Sequence, residues 1–115
     1  EALFFEHYFP EKLSWWWDFR VRSFEPSGWV DSTIYEHAGF RSYVDAVYLR
    51  GAIWLQALRQ QLGDEVFFSL LNDYAESFTG KRASGEQFFA LVDVYSTVDL
   101  GLIMGEYFQA SSLEP

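Results

Sequence analysis

The sequence predicts an all-α fold, an antiparallel helical stack of about five to six helices with one long irregular loop. Two observations predict it. Apolar residues recur three and four positions apart through most of the chain, which is typical of helices that bury one face. Most of the connections between these segments are short, roughly two to six residues, and short connections make neighbouring helices antiparallel. We therefore interpret residues 1–115 as a single helical subdomain.

The composition is that of a folded domain with an excess of aromatic residues. Half of the 115 residues are hydrophobic and 22% are charged, while Phe, Tyr and Trp together make 21%. So many aromatic side chains predict either an unusually aromatic core or a surface that contacts another protein. The net charge of -9 leaves Lys81 and Arg82 as the only adjacent basic pair, which argues against a nucleic-acid partner. The absence of Cys excludes disulfides and thiolate chemistry.

The first half of the chain predicts two helices and a loop. Apolar residues from Glu1 to Phe9 indicate the end of a helix that Pro10 stops. A second helix is predicted from about Glu11 to Phe24, with a stripe of Leu13, Trp16, Trp17, Arg20 and Phe24. Residues 25–41 follow neither period and include two Gly and one Pro, so we expect an ordered irregular loop there.

The strongest helical pattern lies between residues 44 and 62. Its predicted seam consists of Val44, Tyr48, Gly51, Leu55, Leu58 and Leu62. Gly63 is predicted to end this helix in a left-handed conformation, and Asp64 is predicted to cap the next one. That next helix carries the stripe Phe67, Leu70, Leu71, Tyr74 and Phe78, and Gly80 closes it.

Two further helices are predicted in the last third. Ser84 and Gln87 have the spacing of a capping box, in which each side chain bonds to the other residue's backbone N–H. The helix that they open carries Phe88, Leu91, Val92 and Tyr95. A last helix is predicted from about Asp99 to Gln109, with Leu100, Ile103, Met104, Tyr107 and Phe108 on one face.

The order of these signals resembles a known family. From Tyr43 the chain reads Tyr-Val-Asp-Ala-Val-Tyr-Leu-Arg-Gly-Ala, which is similar to the Tyr-x-Lys/Arg-Gly element of aminopeptidase-N-like (gluzincin) zinc metallopeptidases. The resemblance continues in Leu-Gly-Asp-Glu-Val-Phe at 62–67, in the helix start at 84–88 and in the closing helix. It covers residues 43–108 and is weaker upstream. No single element is specific by itself; the shared order and spacing carry the resemblance.

The resemblance implies a catalytic role for Tyr48. In that family zinc activates a water molecule, and a Glu in a His-Glu-x-x-His helix acts as general base. Attack on the peptide carbonyl creates an oxyanion, to which the tyrosine hydroxyl of this element donates a hydrogen bond. Tyr48 matches that tyrosine. On spacing alone, a core position for Tyr48 in the seam of its helix is the favoured interpretation.

The departure from the family pattern is large. The sequence contains no His-Glu-x-x-His, its histidines are His7 and His37, and Glu1 is expected to lie beyond the position of the family's third ligand. We therefore expect no cofactor on this chain, with zinc bound by the rest of a larger parent protein. The expected partners are that remainder of the catalytic domain and a peptide substrate, and the chain alone is expected to be inactive.

Two further residues are cleft candidates by resemblance. Arg50 occupies the family's basic position and could pair with a carboxylate or a substrate, or be a solvated residue on a helix face. Tyr43 lies five residues before Tyr48 and could line the same cleft. His7 and His37 are expected to be ordinary histidines because a metal site needs three or four converging ligands. Trp15, Trp16 and Trp17 point about 100° apart on a helix and cannot form one flat platform.

Two functions remain open at the level of sequence. The first is a helical part of a zinc peptidase, with Tyr48 beside the reacting carbonyl. The alternative is a non-catalytic helical protein-interaction domain whose aromatic surface binds a partner. In either case we expect the isolated chain to form a homodimer or higher oligomer that buries Trp and Phe from the first twenty-five residues.

Overall fold

The computed structural model describes residues 1–109, and every regular element within them is helical. The helices are α1 (Ala2–Tyr8), α2 (Leu13–Arg20), α3 (Phe40–Tyr43), α4 (Arg50–Leu62), α5 (Asp64–Phe78), α6 (Gly85–Tyr95) and α7 (Gly101–Tyr107). Short 3-10 turns occupy Pro10–Lys12, Arg22–Phe24 and Ile34–Glu36. The prediction of an all-α stack with an irregular loop is confirmed. In this part of the chain no helix is both long enough and apolar enough to cross a bilayer.

One continuous helix runs from residue 40 to residue 62. Between α3 and α4 it passes through a π-helical segment, Val44–Leu49, with no break in the right-handed backbone. Hydrogen bonds in a π-helix span five residues instead of four, which rotates the residues before it relative to an α-helical pattern. The buried residue of the segment is accordingly Ala46, whereas Tyr48 is exposed. The predicted seam was wrong at Tyr48, because it assumed an uninterrupted α-helix.

The main core forms where α4 packs against α5, α6 and α7. Its buried residues are Trp54, Leu58, Phe67, Leu70, Val92, Leu100, Tyr107 and Phe108. The Trp54 ring meets Phe108 edge-to-face at 4.7 Å and Phe88 at 5.7 Å. Such aromatic pairs add to the free energy gained by burying their area. Trp54 therefore packs α4 against α6, through Phe88, and against the residue that follows α7, Phe108.

The helix ends agree with the sequence in part. Ser84 Oγ accepts from Gln87 N at 3.2 Å and Gln87 Oε1 accepts from Ser84 N at 2.9 Å, so the capping box is confirmed. Gly63 has the predicted positive φ, 80°, but its ψ of 159° is extended rather than left-handed helical. The cap prediction for Asp64 was wrong, since α5 begins at Asp64 itself and its carboxylate binds Arg59.

The N-terminal hairpin, residues 1–24, forms a separate layer. It consists of α1 and α2 joined by the turn at Pro10–Lys12, and α2 ends at Arg20, before the predicted Phe24. The hairpin buries Trp16 and Val21, and neither residue belongs to the main core. The loop 25–39 then crosses to α7, where Val30 N donates to Tyr107 O at 2.9 Å. Gly28 is required in this loop, because its φ is 102° and a Cβ there would lie 2.8 Å from Ala46 Cβ.

A charged cluster fastens the hairpin to α4. Arg59 donates to Glu6 through both terminal nitrogens, at 2.6 and 2.8 Å, and to Asp64 at 2.7 and 2.9 Å. Its guanidinium also lies over the Phe68 ring at 5.0 Å. The Arg59 side chain is only 11% exposed, so the two carboxylates offset the cost of removing its charge from water.

The Glu6–Arg59 pair predicts a pH dependence of stability. The hydrogen bond from Arg59 holds the pKa of the Glu6 carboxyl below its ordinary value of 4.5. A carboxyl with a lowered pKa in the folded state stabilises the fold above its unfolded pKa and loses this effect as the pH falls through the folded pKa. We expect Glu6→Gln to destabilise the protein at pH 7 and to have a progressively smaller effect below pH 4.5, the ordinary value.

Urea unfolding of both proteins across this pH range measures the difference. A stability difference between them that stays constant from neutral to acid pH would contradict the role given to the Glu6 charge. The matched control is Asp18→Asn, since the Asp18–Arg22 pair is also an ion pair but is well exposed.

Candidate functional site

Tyr48 lies on the wall of an open cleft of about 590 Å³. Its side chain is 60% exposed although its neighbours in sequence are mostly half-buried. The cleft lies between the N-terminal hairpin and the continuous helix 40–62. Its lining comprises Glu1, Trp16, Arg20, Val21, Phe40, Val44, Tyr48, Leu49 and Ala52. The phenol of Tyr48 is thus placed at a concave surface and not in the core.

Tyr43 supports Tyr48 from the side. The two rings meet edge-to-face with 6.1 Å between centroids, and this contact favours one orientation of the Tyr48 ring. Tyr43 is itself packed edge-on against the His37 ring at 5.8 Å. It does not line the cleft, so its contact with the site passes through the Tyr48 ring.

Arg50 is directed away from the cleft. Its Nη2 donates to the Glu106 carbonyl oxygen at 2.8 Å, and its guanidinium lies over the Tyr107 ring at 4.8 Å. These contacts join the start of α4 to the end of α7. The structure therefore brings Tyr43 and Tyr48 together and places Arg50 at a different contact.

The opposite wall of the cleft supplies residues that sequence reasoning did not select. Arg20 and Glu1 bring opposite charges to it, with Arg20 Nε 3.8 Å from Glu1 Oε2. Trp16 Nε1 donates to the same Glu1 oxygen at 3.3 Å. Trp16 and Arg20 are four residues apart on α2, and the sequence placed both on one stripe of this helix without assigning that stripe to a site. The resulting cleft has one phenol, one guanidinium and one carboxylate among apolar side chains.

A serine and a histidine are hydrogen-bonded in the loop 25–39. Ser32 Oγ lies 2.7 Å from His37 Nε2, the distance expected for a nucleophile and its base. However, Ser32 Oγ donates its single proton to the Trp29 carbonyl oxygen at 2.7 Å, so His37 Nε2 donates to Ser32. A base must instead accept the hydroxyl proton. The pair therefore stabilises the loop.

The described residues contain no cluster of His, Asp and Glu side chains that could hold a metal ion. Within residues 1–109 no group of three or more His, Asp or Glu side chains converges to hold an ion. His7 is exposed and packs edge-on against Tyr8, while His37 is engaged with Ser32 and Tyr43. The residues of this part of the chain thus do not fit the zinc ion that the resemblance implies.

The outer side of the hairpin is an exposed aromatic surface. We call Phe4, Tyr8, Phe9, Trp15 and Phe19 the aromatic face; each is at least 40% exposed. Phe4 packs on Tyr8 at 4.9 Å, and Trp15 stacks on Phe19 at 5.3 Å with an interplanar angle of 8°. The neighbouring Trp16 is buried, so consecutive tryptophans do point in different directions, as predicted.

Comparison of the chain with protein-family models, with curated proteins and with solved structures gives no match.

Proposed function

We propose that this chain forms the helical wall of the catalytic cleft of an aminopeptidase-N-like zinc metallopeptidase and supplies Tyr48 to the reaction. The observation that carries the proposal is the exposure of Tyr48. Its side chain is 60% exposed at a cleft of about 590 Å³, although it lies between the buried Ala46 and Gly51 on one helix. An exposed, oriented tyrosine at a concave surface is what the family resemblance of residues 43–51 requires.

The proposed role of Tyr48 is to donate a hydrogen bond to the peptide carbonyl oxygen as that oxygen becomes negatively charged. Such a donor accelerates the reaction only if it is already in place when the charge develops. The contact with Tyr43 restricts the rotation of the Tyr48 ring and so favours one direction of its hydroxyl. The opposite wall combines the buried Trp16 and Val21 with the charged Arg20 and Glu1, which could bind the charged ends of a peptide.

The proposal assigns the metal ligands and the general base to the rest of the protein. No three metal-ligating side chains converge in residues 1–109, and no step involving zinc is derived from these residues. Two observations test this assignment. The coding sequence within about a hundred residues upstream is expected to contain His-Glu-x-x-His. Stoichiometric zinc on the isolated chain would contradict the assignment.

A non-catalytic protein-interaction domain is the second candidate, and the aromatic face favours it. Aromatic side chains are enriched at protein interfaces, and here Phe4 contacts Tyr8 and Phe9, while Trp15 stacks on Phe19, all of them exposed. This function needs neither Tyr48 nor a metal. An open reading frame that starts near Glu1, with no peptidase motif upstream, would favour it over the peptidase.

Tyr48→Phe in the full-length protein is expected to reduce kcat on the order of a hundredfold, because one oxyanion donor contributes about 3 kcal/mol to lowering the barrier. Zinc content should not change, since the hydroxyl does not hold the metal. Tyr35→Phe is the control, because Tyr35 is 94% exposed and outside the cleft. Steady-state kinetics on a peptide substrate with metal analysis measures both effects. Normal kcat in Tyr48→Phe would refute the role.

We further propose that the isolated chain self-associates through the aromatic face. Exposed apolar patches of this kind drive association in water. Sedimentation velocity is expected to show a dimer or higher oligomer, and the double substitution Trp15→Gln/Phe19→Gln should shift it towards monomer. Leu102→Gln is the control, since Leu102 is 93% exposed on α7, away from this surface. A strict monomer at high concentration would contradict the proposal.

A further inference from the structure

The N-terminal hairpin is incompletely packed against the helix that it covers. Open clefts of about 590, 220 and 230 Å³ lie between α4 and Leu13, Trp17 and other hairpin residues. Close backbone approaches between the hairpin helices and α4 are few, whereas α4 approaches α5 and α7 along much of its length. The hairpin and the core α4–α7 therefore meet along a broken interface, unlike the helices within the core.

Polar contacts across this interface are concentrated at one residue. In the described part of the chain, the two hydrogen bonds from Arg59 to Glu6 are the only ones that join residues 1–24 to residues 40–109. They are charge-assisted and bidentate, the strongest type that side chains form. Glu6 lies on α1, so this pair holds the part of the hairpin that is most distant in sequence from the loop.

The other end of the hairpin has the features of a hinge. Glu25 adopts left-handed angles, φ 45° and ψ 54°, which are unusual for a residue other than Gly and disfavoured before a proline, here Pro26. Gly28 follows with φ 102°. On the hairpin side, Phe24 is fixed by Arg41, whose guanidinium lies 3.9 Å from the ring centroid.

We propose that the N-terminal hairpin is a flap that turns about residues 25–28 and is latched shut by the Arg59–Glu6 pair. The flap carries one whole wall of the cleft, including Trp16 and Arg20, while Tyr48 stays on the core side. Opening therefore widens the cleft, and closing brings Trp16 and Arg20 towards Tyr48. If Tyr48 has the role given above, the flap controls the entry of substrate and the exclusion of water; the motion itself does not depend on that role.

Distances between spin labels test the motion. Glu11, at the tip of the hairpin, and Gln61, near the end of α4, are exposed and line none of the clefts described above. The chain contains no Cys, so Glu11→Cys and Gln61→Cys can be labelled selectively. Pulsed electron resonance on this pair is expected to show one main distance, with a minor population at longer distance for the open flap.

Glu6→Gln and Asp64→Asn form a matched pair of variants. Both remove one carboxylate charge from Arg59, but only Glu6 lies on the flap. We expect Glu6→Gln to raise the open population roughly tenfold, as the loss of a charge-assisted hydrogen bond implies. Asp64→Asn should leave the distance distribution unchanged. Identical distributions in all three proteins, or equal opening in both variants, would overturn the proposal.

Hydrogen exchange of the unmodified protein provides a second test that needs no substitution. Because α1 and α2 have only 7 and 8 residues and are marginal without packing, their amides are expected to exchange when the flap opens while those of α4–α6 stay protected. Exchange of all helices in a single global unfolding event would show that the hairpin does not open separately. Neither measurement involves peptide hydrolysis, so a failure of the peptidase proposal would leave both results interpretable.

Discussion

The structure depends on the burial of one face of α4. Trp54 and Leu58 on this face are at most 6% exposed, and they contact residues from each of the three helices that follow. An isolated helix of thirteen residues is marginal in water, so α4 acquires its stability from this packing. The edge-to-face contacts of Trp54 with Phe88 and Phe108 also set how far α6 and the end of α7 lie from it.

The π-helical segment connects this core to the candidate site. Because α4 is fixed in rotation by Trp54 and Leu58, any change in helical phase must appear on the N-terminal side of Arg50. The π turn at Val44–Leu49 supplies that change and buries the small Ala46 beside Gly28. The large Tyr48 is thereby turned to the cleft. π-Helical turns are frequent at functional sites for this reason, since they re-aim side chains without breaking the helix.

The N-terminal hairpin is held in place by a charged contact more than by apolar burial, in contrast to the core. It buries few residues and keeps its aromatic face exposed. An open cleft lies between it and α4, and one charged pair, Glu6–Arg59, forms the hydrogen bonds between them. In a chain with net charge -9, Arg59 is a scarce cation placed where it is almost fully removed from water. A desolvated charge requires its partners in fixed positions, which makes the contact directional where apolar packing is not. This layer is consequently the part of the structure best suited to move or to receive a partner.

The sequence alone determined the helical class, most helix positions and the capping box at Ser84, because these follow from local periodicity and short-range hydrogen bonding. It also placed Tyr48 within the helix that it predicted from residue 44. Only the tertiary structure decided that Tyr48 faces a cleft, that Arg50 binds Glu106 and that Asp64 binds Arg59 instead of capping α5. A π turn leaves no periodic signal of its own, and contacts across 53 residues such as Glu6–Arg59 depend on how helices pack. Local pattern reports which face of a helix is apolar, whereas packing determines what that face and its charges meet.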